Sequence, residues 1–547
     1  MTLVRDARAP AGRARRPGAP ELAIAFAFAA LSLWVLVLDL HQVVAHGLHW
    51  TGTDGIFVTD QMSYLAWIQD ASRHVLASNL FELRATPTDF LQPLVAISGG
   101  LSALGVAPWL SLLLWKPVAV GGVVVVAWAY VRRSVGGRWE RRAAFALGLF
   151  FVGPGAFLAS DVLHSGPAAS LQWSALTLDA SLGFWSWGYS YGLISVAAAL
   201  GAVLLYERAR TSRRLAWAPA LLGALASWLH PWQGATLILM LVGAESLALA
   251  PSVRSSRSGR IGRGAAPIRL LAVTVTATVL PLLYFVVLDR ADRSWGLAQS
   301  AAHNAFPVWM VLATVAPLAI PAALAYRTPA RGLTDRVSRC WPFAALIVFG
   351  VSETRFGAVP THALLGISIP FAVLAVQGVQ SISYQRGSSL RSGLIAALIA
   401  IVLLAPTWHE LSTAQRAVTP GPQLGQATGA VFVTAGERDA LRYLDHDPTP
   451  GGVMSRVYLG TVVPGLTARR TFVGNFYYSP HYAQRMAATQ RLFTGGLTPV
   501  QARSLVTDSG ARFLLADCDS SAHLLPALAP IVRDVRHFGC ATVYRLR

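Results

Sequence analysis

Long apolar runs separated by short arginine-marked segments set the rhythm of this chain. The runs fall at about 21–44, 108–131, 143–159, 189–206, 215–229, 232–250, 270–288, 307–326, 341–352, 359–378 and 392–408. A helix needs roughly 17–25 apolar residues to cross hydrocarbon. The pattern therefore predicts about eleven spanning helices, with 143–159 at the lower limit and 341–352 short enough to be re-entrant. The first run exceeds the roughly 7–15 apolar residues of a secretory signal, and no small-residue cleavage site follows it, so it reads as an uncleaved first span. After residue 408 the pattern becomes mixed. Glu437 to Leu444 reads as a helix start, Val453 to Leu459 and Arg512 to Ala516 as strands, and Tyr482 to Phe493 as a helix. The expected fold class is an α-helical polytopic membrane protein with a C-terminal extracytoplasmic α/β domain. Its parts are a basic N-terminus (1–20), a membrane region (21–408) with a long first loop (45–105), and the α/β domain (409–547). No solenoid-length repeat and no inverted pair of Gly/Pro-broken helices is visible.

Composition sharpens this picture. Of 547 residues, 54% are hydrophobic and only 13% charged, against a usual charged share of about 25%. A water-soluble enzyme and a disordered chain are both excluded. The formal net charge is +19, and Lys116 is the one lysine. With the N-terminus placed in the cytoplasm and the spans alternating, 25 arginines fall in cytoplasmic segments and 5 in outer loops between spans. Such an asymmetry is the orientation signal of a membrane protein; it does not call for nucleic acid, because the cytoplasmic loops carry no aromatic-basic module. The Ser/Gly/Arg-rich stretch 251–267 reads as a cytoplasmic linker. The region after residue 408 is then extracytoplasmic. On that oxidising side Cys518 and Cys540 are either a disulfide or two buried thiols in neighbouring strands. With Cys340 as the third cysteine and no CxxC, a structural zinc site is not expected.

The predicted outer face collects the candidate chemistry. The first outer loop is mainly acidic, and within Thr59-Asp60-Gln61 the carboxylate of Asp60 opens a segment with Tyr64, Trp67, Ile68 and Ala71 at helical spacing. That segment reads as an amphipathic helix lying in the interface. Asp60 is either its N-cap or a general base or metal ligand. The second outer loop, about Ser160 to Gly188, holds Asp161, His164, Asp179, Trp185 and Trp187 and no basic residue. The tryptophans fit an aromatic belt, and Asp161 stands past a helix end, where a carboxylate gains nothing from the helix dipole. His230-Pro231-Trp232-Gln233-Gly234 forms a tight outer hairpin whose histidine caps a helix or faces a ligand. Arg355 in Glu353-Thr354-Arg355 either pairs with Glu353 or binds a lipid phosphate. The stretch Arg469 to Tyr482, including Gly474, Asn475, Tyr477 and Tyr478, faces a sugar or the bilayer, or is ordinary strand–turn–helix packing.

Taken together, this layout resembles the C-type glycosyltransferases, multi-spanning enzymes that take sugars from polyprenyl-phosphate carriers, and is nearest to uncharacterised bacterial members. The likeness rests on Asp60 and Tyr64 after the first span, Asp161 in the second acidic loop, Glu353-Thr354-Arg355-Phe356 before the late span Ile367 to Ala375, and the C-terminal outer domain with Gly474-Asn475. His230-Pro231 is similar to a hairpin of such bacterial proteins. The resemblance implies an inverting transfer of a sugar from a polyprenyl-phosphate donor to an extracytoplasmic glycan, lipid or protein acceptor, at the cell envelope. Asp60 would be the base. Asp54, Tyr64, Asp161, His230, Glu353, Arg355, Tyr477 and Tyr478 would bind substrate, with the lipid phosphate near Arg355. A divalent cation, Mg or Mn, is used by some members; Asp60 and Asp161 would be its ligands. This sequence departs from the pattern in having no Asp-x-Asp or Glu-x-Asp in the first loop and a lone Asp161 in the second. The competing expectations are a flippase of lipid-linked precursors, which would carry polar groups deep in its spans, and a non-catalytic envelope protein.

Overall fold

The computed structural model describes residues 17–547, apart from 160–162, 165, 213–214, 255–264, 302–305, 355–357, 384–392, 394–396, 398, 400–405, 410, 414 and 416–429. Among the described residues, six helices have the length and composition to cross a membrane: Ala19–His46, Pro108–Ser134, Ser190–Ala209, Pro231–Leu249, Ile268–Ala291 and Val308–Arg327. The chain is a multi-pass α-helical membrane protein. The first of these helices and the one at 268–291 leave Phe26, Val37, Val44, Val273, Leu280 and Val287 bare of protein, the faces that hydrocarbon covers.

The other predicted spans take different forms. The 143–159 run yields the helix Arg138–Phe150, which stops before Gly153-Pro154 because proline disfavours helical backbone in the residue ahead of it. The 341–352 run starts earlier, as Leu333–Ser352. The 359–378 run is split into the 3-10 turn Pro360–Leu364 and the helix Ser368–Ser383. The 392–408 run and the core of the 251–267 linker fall largely outside the described residues.

Polar contacts sort the helix ends into two groups. At one end Arg142 pairs with Glu21 (2.8 Å), Arg133 with Glu207, and Arg210 with Glu245 (3.5 Å), while Arg336 Nε donates to Ala244 O (2.9 Å). These are the segments assigned to the cytoplasmic side, drawn together from distant parts of the chain. At the other end the first loop meets the C-terminal region. Strand β1 (His49–Trp50) pairs antiparallel with β2 (Phe432–Val433), and Thr51 Oγ1 donates to Ala430 O (2.6 Å).

The C-terminal region carries a four-stranded sheet in the order β3-β4-β6-β5. β3 (Val453–Ser455) lies parallel to β4 (Phe513–Ala516), and β6 (Ala541–Leu546) runs antiparallel to both β4 and β5 (Val532–Phe538). Cys518 and Cys540 form a disulfide. The helix at Tyr482–Phe493 matches the sequence expectation, and the one at Ala435–His446 opens with a capping box between Thr434 and Glu437. The Val453–Leu459 expectation is half corrected: the strand ends at Ser455 and the helix Val457–Thr467 follows. That helix packs on Val58–His74, where Gly465 lets its backbone approach Leu65. One apolar core runs through both, joining Met62, Leu65 and Ile68 to Leu459, Val462, Val463, Phe513 and Val543. Arg470 stitches the seam, donating to the carbonyls of Asn79 (2.7 Å) and Arg84 (2.9 Å).

Candidate active site

The helix Val58–His74 is buried on nearly every side, with Gln61, Met62, Ser63, Tyr64, Leu65, Ala66, Trp67 and Ile68 all enclosed. It is therefore a core element and does not lie in the interface as the amphipathic reading expected; the C-terminal region covers the face that lipid would have met. Its N-cap is Phe57, which makes no side-chain cap bond. Asp60 stands in the first turn and does not serve as the N-cap. Asp60 is half-buried, and the dense low-dielectric surroundings raise its carboxyl to about 7.

A second carboxylate faces it. Asp179 ends the helix Pro167–Ala180 and is buried. Burial, and then the charge of Asp60, raise it to about 7, while a hydrogen bond from the Thr361 hydroxyl works the other way. Ionised Asp60 therefore holds the proton on Asp179 more firmly, while the rise at Asp60 itself comes from burial.

Tyrosines close around these acids. Tyr64 and Tyr189 are hydrogen-bonded to one another, with ring centroids 5.9 Å apart. Burial above all, then the nearby acid Asp60 among other contacts, holds both phenols far above their ordinary value, hence neutral. Tyr477 and Tyr478 come from the C-terminal region, and the charge of Asp60 reaches both. Tyr478 packs on Trp67 (5.3 Å) and Trp295 (5.7 Å). Asn475, fully buried, holds this segment against the acid's helix: its Nδ2 donates to Ser63 Oγ (2.7 Å), and its Oδ1 accepts from Tyr477 N (2.7 Å). The Arg469–Tyr482 stretch thus combines ordinary packing with a tyrosine lip over Asp60.

His230 lies on the far side of Tyr189 (ring centroids 6.3 Å). It is the C-cap residue of the helix Trp217–Leu229, its backbone N–H donating to Ala226 O (3.0 Å), while both its ring nitrogens are buried without a partner. Its hairpin clamps the 358–365 segment: Trp232 Nε1 donates to Ala358 O (3.0 Å) and Gln233 Nε2 to Leu365 O (2.8 Å). Trp185 and Trp187 are fully enclosed, which corrects the aromatic-belt reading; the second loop folds inward as the wall of the site.

Other candidates stand elsewhere. Asp54 is buried in an ion pair with Lys116, whose Nζ also donates to Ser186 O (2.7 Å), and Gln61 brackets the Asp54 backbone from both sides (2.7 Å each). Asp54 therefore anchors the first loop to a spanning helix and is taken up by that task. Glu353 is exposed and accepts from Phe306 N (3.0 Å). Asp161 and Arg355 lie outside the described residues. Sequence reasoning gave no role to Asp179 and did not single out Tyr189 or His362.

Among the described residues, no group of three or more His, Cys, Asp or Glu side chains is arranged to hold a metal ion. Asp60 and Asp179, near enough for the charge of one to reach the other, are carboxylates of the kind that hold a magnesium ion together with substrate phosphates.

No protein-family model matches the sequence, and no curated protein matches it. Among solved structures, the chain is similar to the oligosaccharyltransferase of Archaeoglobus fulgidus crystallised with Zn and sulfate, at 12% identity and TM-score 0.49, covering 94% of this chain and 71% of that one. It is also similar to ArnT from Cupriavidus metallidurans bound to undecaprenyl phosphate, at 14% identity and TM-score 0.45, covering 96% and 97%. A third likeness is to the arabinofuranosyltransferase AftD from Mycobacteria, at 14% identity and TM-score 0.47, covering 96% of this chain and 40% of that one.

Proposed function

We propose that this chain is an inverting membrane glycosyltransferase that moves a sugar from a polyprenyl-phosphate carrier to an extracytoplasmic acceptor, with Asp60 as the general base. The observation that carries the reading is the placement of Asp60. An acid raised to about 7 stands in an aromatic chamber between the helix bundle and the C-terminal region, opposite Asp179. A general base is most effective with its pKa near the working pH. Tyrosine and tryptophan rings suit the C–H faces of a sugar, while their hydroxyls and N–H groups suit its oxygens.

In this scheme the acceptor hydroxyl enters beneath Tyr477 and Tyr478. Its proton passes to Asp60 as its oxygen attacks the anomeric carbon. The bond from that carbon to the phosphate oxygen breaks with the electron pair going to the lipid phosphate, and a single displacement inverts the centre. Burial keeps the Asp60 carboxyl raised, and Asp179 faces the sugar. Arg355 is the proposed partner of the phosphate, since guanidinium matches phosphate geometry. A divalent ion held by Asp60 and Asp179, when bound, would neutralise charge on the donor phosphate. The N-terminus is assigned to the cytoplasm and the C-terminal region to the outside.

The test is release of free polyprenyl phosphate from a sugar-loaded carrier by the purified protein. Steady release that depends on an acceptor supports the reading. A carrier that stays loaded while it is moved between leaflets of a vesicle would favour a flippase instead.

A further inference from the structure

Past Tyr189 stands a cluster of rings that the displacement chemistry leaves unused. His230 and Trp185 are 2% and 0% exposed, and Tyr189, Trp232 and His362 are half-buried. The rings interlock: Trp185 lies 4.4 Å from Tyr189 and 5.2 Å from His362, and His230 lies 5.0 Å from His362 and 4.9 Å from Trp232. Four ring nitrogens in this small space, His230 Nδ1 and Nε2, His362 Nδ1 and Trp185 Nε1, are buried without a hydrogen-bond partner. Native interiors seldom leave such groups unmet, let alone together. The backbone that presents His362 is strained, with the β-branched Val359 at φ 41°, and strain of this kind gathers at ligand sites.

The chemistry of these atoms selects the occupant. Burial holds both imidazoles below their ordinary value, His362 at about 3 and His230 well below it, with His362 adding to the effect on His230. Each imidazole is therefore neutral and presents one N–H and one lone pair, while Trp185 presents only an N–H. A phosphate dianion, which only accepts, would leave the lone pairs unmet. A metal ion would take the lone pairs and leave the N–H groups unmet. A hydroxyl both donates and accepts, and a ring carrying several hydroxyls has C–H faces for the aromatic walls.

We propose that His230, His362 and Trp185 form the subsite that reads the hydroxyl groups of the donor's sugar ring, with Tyr189 and Trp232 as its apolar walls. The proposal rests on the glycosyltransferase reading and adds where the transferred sugar is recognised. Tyr189 packs on Tyr64 of the Asp60 helix, and Thr361, next to His362, bonds Asp179, so the ring cluster adjoins both acids. A sugar held by the imidazole pair has its reacting end toward Asp60.

Titration calorimetry on the detergent-purified full chain tests this. Bare polyprenyl phosphate is compared with polyprenyl-phosphate glucose, mannose and arabinofuranose. At least one loaded carrier is expected to bind about tenfold tighter than the bare carrier, a gain that a few neutral hydrogen bonds supply. His362→Phe keeps a ring of similar size and Trp185→Phe a smaller one, and both remove the nitrogens; each is expected to erase most of that preference without weakening the bare carrier. Equal affinity for bare and loaded carriers in the wild type, or a preference that survives in both variants, overturns the subsite and leaves the glycosyltransferase reading standing. Failure to bind any carrier overturns that reading and the subsite together.

Discussion

Asp60 and Asp179 both have raised carboxyls, and these raised values fix the sign of the effect. The basic form of Asp60 is gained as pH rises through about 7, so kcat should climb between pH 6 and 8 and then level, as a pH–rate profile will show. Burial is what raises Asp60, so Asp179→Asn should leave that midpoint near 7. For stability the direction is opposite. A carboxyl raised in the folded state contributes stability below its unfolded value of roughly 4, and that share is lost as pH rises through the folded value. Lys116 gives a second prediction. Lys116→Met strands the buried Asp54 carboxylate and should cost roughly 3–5 kcal/mol, read as a drop in thermal midpoint in detergent; adding Asp54→Asn should restore much of it. Sequence brought Asp60 forward because it follows the first span and precedes a helical aromatic pattern. Asp179 and His362 stayed hidden because neither carries a spacing signal. They become site residues only when three segments far apart in the chain fold onto one wall.

Among the elements, the helix at 58–74 governs the site. Its polar and apolar positions look amphipathic in isolation, yet the Val457–Thr467 helix covers the side that would otherwise meet lipid or water. The same interaction explains why the valine-rich stretch after Ser455 is helical: Gly460 and Gly474 bring its backbone close to that of the 471–474 segment, a fit that no local preference reveals. Gly99 packs the opposite side, where an added Cβ would lie 2.7 Å from Ala71 Cβ. Gly99→Val should therefore push this helix from its seat, lowering the thermal midpoint and the turnover together, although residue 99 is remote from the chamber. Elements with strong local signals, such as the 482–493 helix and the helix read over Glu437 to Leu444, were legible from sequence. Those set by tertiary contact were not.

Across the whole molecule, two independent lines agree on how the ends of the bundle divide. Arginine placement along the sequence separates the loops into two sets, and the folded chain gathers the Arg133, Arg142, Arg210 and Arg336 segments at one end. The β1–β2 pairing and the Asp60 chamber lie at the other. A reporter fused after Arg547 should be active only outside the cytosol; cytosolic activity would place the chamber on the wrong face for a polyprenyl-linked donor. The central claim is that Asp60 takes the acceptor's proton. Single-turnover release of polyprenyl phosphate, with donor binding measured in parallel, tests it most directly for Asp60→Asn against the wild type. The account predicts a rate lower by about 10²–10⁴, with donor affinity unchanged when both are measured in the presence of a chelator. Undiminished release in that variant would contradict it.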